Sequence, residues 1–302
     1  MSERKNCECR ICNSKGAYPI TIAKEWRQGR PETFEYFKCE QCGCLQLLQI
    51  PSDMGEYYKG YYALKDIKEE EPILLSKVRQ FCLKSLLREG SYMGSFLRKF
   101  FPHFFYWVIP NLFEEKSRIL DLGCGSGRIL LKLNNSGFKN ILGVDPYIEK
   151  TLTYKNGVTV LNTDLCELND SFDLIMLHHV LEHIPNQSET FNALKTLLSP
   201  QGTLLINVPV IDSYPWRTFG PMCFQLEDAP RHIFLHTEES IRLMAEQSGF
   251  IVEKVKYYSE PKVLRRNDKR EQFEATRAIR REASNLAEKK DSGLACFYLK
   301  HK

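Results

Sequence analysis

From Arg118 onward the chain alternates short apolar strand patterns with amphipathic helix patterns, and this alternation restricts the fold more than any other feature. "RILDL", "NILGVD", "VTVLN", "FDLIML" and "TLLINVP" read as strands, while "RILLKLNNSG" and "SETFNALKTLL" read as helices. Strands joined through helices run parallel, because the crossover brings the chain back to the same end of the sheet. A parallel sheet must be covered on both faces, which explains runs without polar interruption such as residues 174–177. The expected architecture is therefore α/β, a doubly wound and mostly parallel sheet whose ligands bind outside the carboxyl ends of its strands.

The first of these strands runs into "DLGCGSG". Gly123, Gly125 and Gly127 allow a tight turn and a close backbone approach, and the following helix offers free N–H groups at its start. A dinucleotide fingerprint in this register would need glycine where Arg128 stands, and a phosphate-cradling G-K-[ST] is missing. Asp145 closes the second strand, at the distance where a carboxylate grips ribose hydroxyls, and Asp164 follows the third, placed to meet an adenine edge. Together they describe a site for an adenosine without a pyrophosphate.

Six of the eleven cysteines lie in the first 44 residues. The N-terminal "MSERKNCECR" contains no apolar signal-peptide core, so a cytoplasmic location and metal-bound thiolates are expected rather than disulfides. Cys9 with Cys12, and Cys39 with Cys42, have C-x-x-C spacing, and the four complete a closed tetrahedral site for a structural Zn²⁺. Cys7 and Cys44 are spare candidates. Asn13 and Gly43 follow the two pairs and readily take the left-handed conformation that a metal-binding turn needs. "YPITIA" and "TFEYFKC" supply the strands of a small zinc ribbon over residues 1–50.

Residues 51–115 are expected to form a helical linker or lid. The tyrosines Tyr57, Tyr58, Tyr61 and Tyr62 read as a packing stripe, and "KDIKEEE" as a solvated connector. "FLRKFFPHFFYWVIP" is broken by Arg98, Lys99, Pro102 and His103, so no membrane span is expected. It reads as a helix packing on the main domain in preference to a membrane-surface patch. The net charge of +4 is mild and selects no anionic partner.

On these motifs the sequence resembles the class I S-adenosylmethionine-dependent methyltransferases. "ILDLGCGSGRIL" is similar to their first motif, "GVDPY" to their ribose-binding acid, "LNTDL" to their adenine-binding turn, and "FDLIMLHHVLEHI" to their fourth strand and loop. The resemblance spans about residues 95–260. It implies S-adenosylmethionine as cofactor, with Asp121, Gly123, Cys124, Gly125, Asp145, Pro146, Asp164, Leu165 and His178 around it. It also implies a Rossmann-like sheet of seven strands with the last antiparallel, a domain over residues 116–302, and "FIVEKVKYY" and "GLACFYLKHK" as strands six and seven. A charged helical insertion over about 262–290 separates those two. With the ribbon included, the chain resembles bacterial methyltransferases associated with glycan biosynthesis, in which "VIDSYPWRTFG" and "DAPRHIFLHTEES" are substrate-side segments.

Three of the seven histidines stand in "HHVLEHIP", and a second polar group, Asp228, Arg231, His232 and His236, follows strand five. His183 or His232 is expected to act as base toward a substrate hydroxyl, with His179 on the same face as His183 and Arg231 holding an anionic substrate group. Small-RNA 2'-O-methyltransferases hold Mg²⁺ with a Glu/His loop that Glu182, His183 and His232 echo. His179 stands where those enzymes carry a second carboxylate, so Mg²⁺ is the weaker expectation.

The leading functional expectation is methyl transfer to a small, sugar or glycan-related acceptor. One alternative is an RNA methyltransferase that docks through the ribbon. Basic residues between Cys12 and Cys39 are interspersed with Glu25, Glu32 and Glu35, so nucleic acid is not the expected partner. The other alternative is a non-catalytic cofactor-binding scaffold. The methylated atom and the oligomeric state are open at this point.

Overall fold

The computed structural model of the chain describes residues 3–58, 72–101, 105–269 and 272–302. Tyr61, Tyr62, the connector 65–71 and residues 102–104 of the apolar segment lie outside the described residues, as do 270–271 of the expected insertion.

The ribbon consists of β1 (Arg4–Glu8), β2 (Lys15–Lys24), β3 (Thr33–Lys38) and β4 (Leu45–Leu47), paired antiparallel in that order. A helical hairpin follows, α1 (Ile73–Leu87) and α2 (Tyr92–Phe100), with Ser91 capping the second helix by accepting from the Gly94 N–H. Gly94 lets the two helices close on each other, since a Cβ there would stand 2.3 Å from the Ser85 carbonyl oxygen. Leu83, Leu86 and Leu97 bury the hairpin's inner face beside Trp107. This is the packing expected of the apolar segment, but the hairpin's outer face stays exposed.

The large sheet begins with β5 (Ile119–Leu122), which passes through α3 (Arg128–Asn135) to β6 (Ile141–Val144). A short hairpin, β7 (Leu152–Thr153) and β8 (Thr159–Leu161), forms one edge. β9 (Phe172–His178) leads through α4 (Gln187–Leu197) to β10 (Leu198–Pro209). Beyond α5 (Tyr214–Phe219) and β11 (Phe234–Leu235), α6 (Glu238–Gln247) returns to β12 (Phe250–Tyr257). After α7 (Arg277–Glu288), β13 (Leu294–His301) inserts between β12 and β10. The order β12-β13-β10-β9-β5-β6-β8-β7 contains the seven expected strands, with β13 antiparallel to both neighbours. The eighth, β7, is a two-residue antiparallel edge that its length kept out of the sequence pattern. The expected insertion contains short 3-10 turns and α7 in place of one continuous helix.

β11 leaves the large domain and pairs with β4, so the ribbon's sheet gains its fifth strand from a segment almost 190 residues later. Leu45, Leu47, Phe234 and Leu235 are fully buried at this junction, and one core continues from the cysteines to β10. Burial of each such side chain contributes about 1.5–3 kcal/mol. The ribbon and large domain therefore share a core.

Candidate active site

The glycine loop leaves β5 with Gly123, Gly125 and Gly127 all at positive φ. A side chain at Gly123 would strike Val180, whose Cγ2 would be 2.6 Å from its Cβ, so the loop lies tight against the turn after β9. Asp145, at the end of β6, accepts the Gly125 N–H at 2.8 Å through Oδ2 and the Tyr147 N–H at 2.9 Å through Oδ1. Pro146 fixes the turn between those residues. Asp164 stands exposed at the end of β8 and caps the turn that begins at Leu165. The Cys124 sulfur lies beside Gly143, where a Cβ would stand 2.6 Å from it.

Three neighbouring strand ends carry buried polar atoms without hydrogen-bond partners among the described residues: Asp121 Oδ1, His178 Nε2 and Asn207 Oδ1. Native interiors seldom leave such atoms orphaned. Burial, with Asp145 beside it, pushes the Asp121 carboxyl up to about 8, a group waiting for a polar partner. The His178 ring accepts from Asn207 Nδ2 at 3.2 Å and packs edge-on to Trp107. The narrow loop, the Asp145 and Asp164 carboxylates and the orphaned atoms together fit an adenosine-bearing, positively charged cofactor.

Beyond His178 the chain turns sharply, with His179 at φ 56°. The His179 ring donates from Nδ1 to Glu182 Oε1 at 3.3 Å and accepts at Nε2 from the Tyr258 hydroxyl at 3.0 Å. Glu182 is fully buried and its Oε2 has no hydrogen-bond partner among the described residues. Burial alone would raise its pKa, but the His179 hydrogen bond and the imidazoles around it prevail and lower it to about 2.

His183 Nδ1 lies 2.9 Å from the Arg231 carbonyl and His232 Nδ1 lies 2.6 Å from the Gln225 carbonyl. A carbonyl only accepts, so both Nδ1 atoms carry a hydrogen and Nε2 is the base position of each ring; His232 Nε2 stands 4.0 Å from Glu182 Oε1 and 3.9 Å from Asp228 Oδ2. The two rings lie 4.8 Å apart. Burial, reinforced by His232, lowers His183 to about 4, which keeps it neutral near pH 7. One ligand atom each from Glu182, His183 and His232 lies within 4.8 Å of the other two. Two imidazoles with one carboxylate suit a borderline dication such as Zn²⁺, Mn²⁺ or Fe²⁺. They suit Mg²⁺ less well, since it prefers oxygen ligands, in line with its place as the weaker expectation.

Arg231 also departs from expectation. Its side chain is fully buried, and it donates to the Tyr57 carbonyl at 2.7 Å and to Asp228 at 2.7 Å, with Glu25 at 3.7 Å. These partners make it a structural bridge between ribbon and loop in place of a holder of an anionic substrate group. His236 is likewise internal, between Gln187 and Ser240.

Tyr58, Tyr147 and Tyr258 also border the site, and sequence reasoning missed their roles. Tyr58 stacks on Tyr147 at 5.0 Å and meets the His183 ring edge-on. Tyr147 directly follows "GVDP", which was the available signal for it. Tyr58 stood in the tyrosine stripe, for which packing was the expected role, and Tyr258, from a distant segment, carried no signal.

In the ribbon, Cys9 Sγ lies 3.6 Å from Cys42 Sγ, and Cys12 Sγ lies 3.6 Å from Cys39 Sγ. Sulfurs around a tetrahedral Zn²⁺ stand roughly 3.8 Å apart, so the four are compatible with that ion. Asn13 and Gly43 have φ of 57° and 73°. Cys44 is buried toward His236, and Cys7 faces the Lys5 carbonyl, so neither joins the cluster.

A methyltransferase-domain family model matches residues 90–255, more than half of the chain. A tRNA U34 carboxymethyltransferase of Azotobacter vinelandii is 30% identical over 159 residues, 48% of this chain and 48% of that protein. A protein of the same name from Campylobacter hominis is 26% identical over 184 residues, 56% of this chain and 63% of that protein. A solved S-adenosylmethionine-dependent methyltransferase from Mesorhizobium loti superimposes with a TM-score of 0.43 at 23% identity, covering 64% of this chain and 94% of the other. The chain thus spans about half the length of the first curated relative and under two thirds of the second.

Proposed function

We propose a reaction from one premise: the chain belongs to the methyltransferase-domain family and is an S-adenosylmethionine-dependent methyltransferase. The reaction is methyl transfer to an acceptor hydroxyl, with His183 or His232 receiving the proton. The observation that carries it is the fixed orientation of two adjacent imidazoles, each held by an Nδ1–H bound to a backbone carbonyl. S-adenosylmethionine, when bound, supplies the electrophilic methyl carbon. Asp145 and Asp164 hold its ribose and adenine ends, and the Gly123–Gly127 loop admits it closely. Tyr58 and Tyr147 narrow the entrance and exclude water. The His179–Glu182–Tyr258 chain fixes the floor against which the acceptor sits.

The relatives' names support an RNA acceptor above the glycan one, because both proteins are named for a tRNA nucleotide. A small glycan-related acceptor is the second reading. It is favoured by the ribbon's basic side chains, since Arg4, Lys5, Lys15 and Arg27 are each paired with a carboxylate. Radiolabelled methyl transfer separates the two: label should enter bulk tRNA, and label entering only sugar nucleotides or glycans would overturn the RNA reading.

Cys9, Cys12, Cys39 and Cys42 hold one structural Zn²⁺ in this proposal. No disulfide joins any two of the described cysteines. The unpartnered Glu182 Oε2 supports a second reading of the catalytic cluster, in which a borderline dication binds the acceptor oxygen. Elemental analysis tests both metals. One Zn²⁺ per chain leaves the imidazoles free as bases, whereas a second ion lost in Glu182→Gln assigns them to the metal.

A further inference from the structure

Thirteen large hydrophobic side chains are exposed among the described residues, and ten of them lie between residues 73 and 101. On α1, Leu74, Val78 and Phe81 recur at helical spacing and are 78%, 50% and 58% exposed. On α2, Phe96 and Phe100 are 48% and 58% exposed, with ring centroids 4.7 Å apart. The hairpin is not loosely attached, because its opposite face is buried through Leu83, Leu86 and Leu97. A firmly held element with apolar side chains on its outer face marks an interaction surface.

Charge identifies the partner. Residues 73–101 contain six lysines and arginines against Glu89 alone, a net +5, whereas the entire chain carries +4. Everything outside the hairpin therefore sums to −1. Lys77, Arg88 and Lys99 are exposed, and beside Lys99 and Phe100 a groove is lined by Arg277, Arg280 and Arg281 of α7.

We propose that the outer face of the α1–α2 hairpin docks on an anionic phospholipid surface, its apolar stripe entering the headgroup boundary and its basic rim meeting lipid phosphates. The exposed aliphatics favour lipid over single-stranded RNA, since bases stack on aromatic rings and gain nothing comparable from Leu74 or Val78. A second copy is disfavoured because a two-fold contact would set one basic hairpin against another. The contact is interfacial: no described helix is long and apolar enough to cross a membrane. The inference does not depend on the acceptor class.

The test is co-sedimentation of the full chain with phosphatidylcholine vesicles, with and without about one-third phosphatidylglycerol, at low and high salt. The expected result is at least tenfold stronger partitioning onto the anionic vesicles, weakened by salt. Phe96→Ser with Phe100→Ser, and separately Lys77→Glu with Lys99→Glu, should each reduce it at least tenfold. S-adenosylmethionine affinity should stay unchanged and serves as the check on folding. Equal partitioning onto both vesicle types, or none, overturns the proposal. So does a dimer that the phenylalanine changes dissolve, or binding of bulk tRNA through the same lysines without vesicle binding.

Discussion

Asp145 combines two tasks at a single carboxylate. It ties down the glycine loop through the Gly125 and Tyr147 N–H groups, and in the proposed site it also holds the cofactor's ribose. Asp145→Ala should therefore weaken S-adenosylmethionine binding at least tenfold, about 1.4 kcal/mol, by calorimetric titration; equal affinities would move the ribose contact elsewhere. The imidazoles should behave differently. His183→Gln keeps size but loses basicity, and methyl transfer should fall by ~10²–10⁴ while cofactor affinity holds. His232→Gln is the companion variant, and loss confined to it would make His232 the base. Asp145, Asp164 and the glycines were legible in the sequence because each sits at a strand end whose position the alternation fixes. Arg231 was misread because its burial depends on Glu25, which only the folded ribbon brings to it.

At the scale of elements, the ribbon reaches the active-site loop by three separate routes. β4 pairs with β11, the Tyr36 hydroxyl donates to the His232 carbonyl at 2.8 Å, and Thr237 donates to the Cys42 carbonyl at 2.6 Å. Thr237 also caps α6 in a reciprocal pair with Ser240, so the Cys39–Cys42 turn is hydrogen-bonded to the helix start. Tyr36 is thus a positioning residue. Tyr36→Phe leaves a buried carbonyl short of its donor, which costs about 1–3 kcal/mol in thermal or denaturant unfolding. It should lower kcat more than it raises KM, because the displaced group is His232; an unchanged kcat beside lowered stability would confine Tyr36 to packing. The C-x-x-C pairs and their two left-handed residues were visible in the sequence, since metal spacing is local. The pairing between ribbon and large domain was not, because a two-residue strand such as β11 has no periodicity to detect.

For the molecule as a whole, the buried titrating groups make stability depend on pH in opposite senses. Burial lowers His178 to about 3, and His183 and His236 to about 4, from an ordinary 6.5. Between about 6.5 and 4 the unfolded chain takes up protons at these three positions and the folded chain does not, so stability falls as the pH is lowered through that window. Glu182, lowered from 4.5 to about 2, adds the same acid sensitivity below its unfolded value. Asp121 acts in the opposite sense. Raised from 3.8 to about 8, it holds a proton in the folded state that the unfolded chain has released, and its contribution is lost as the pH rises toward 8. Above 6.5 the four ribbon cysteines, thiolates when they hold Zn²⁺ and thiols in the unfolded chain, pull stability the other way, so the Asp121 contribution is read as a difference between two proteins. Melting temperatures of the cofactor-free protein, measured with Zn²⁺ supplied, should rise less steeply from pH 5 to 8 in the wild type than in Asp121→Asn. That variant abolishes the titration of the raised carboxyl alone and leaves the acid decline in place. Parallel profiles of the two proteins from pH 5 to 8 would mean that Asp121 is ionised in the folded protein, and the orphaned oxygen on β5 would then need a partner from the protein itself.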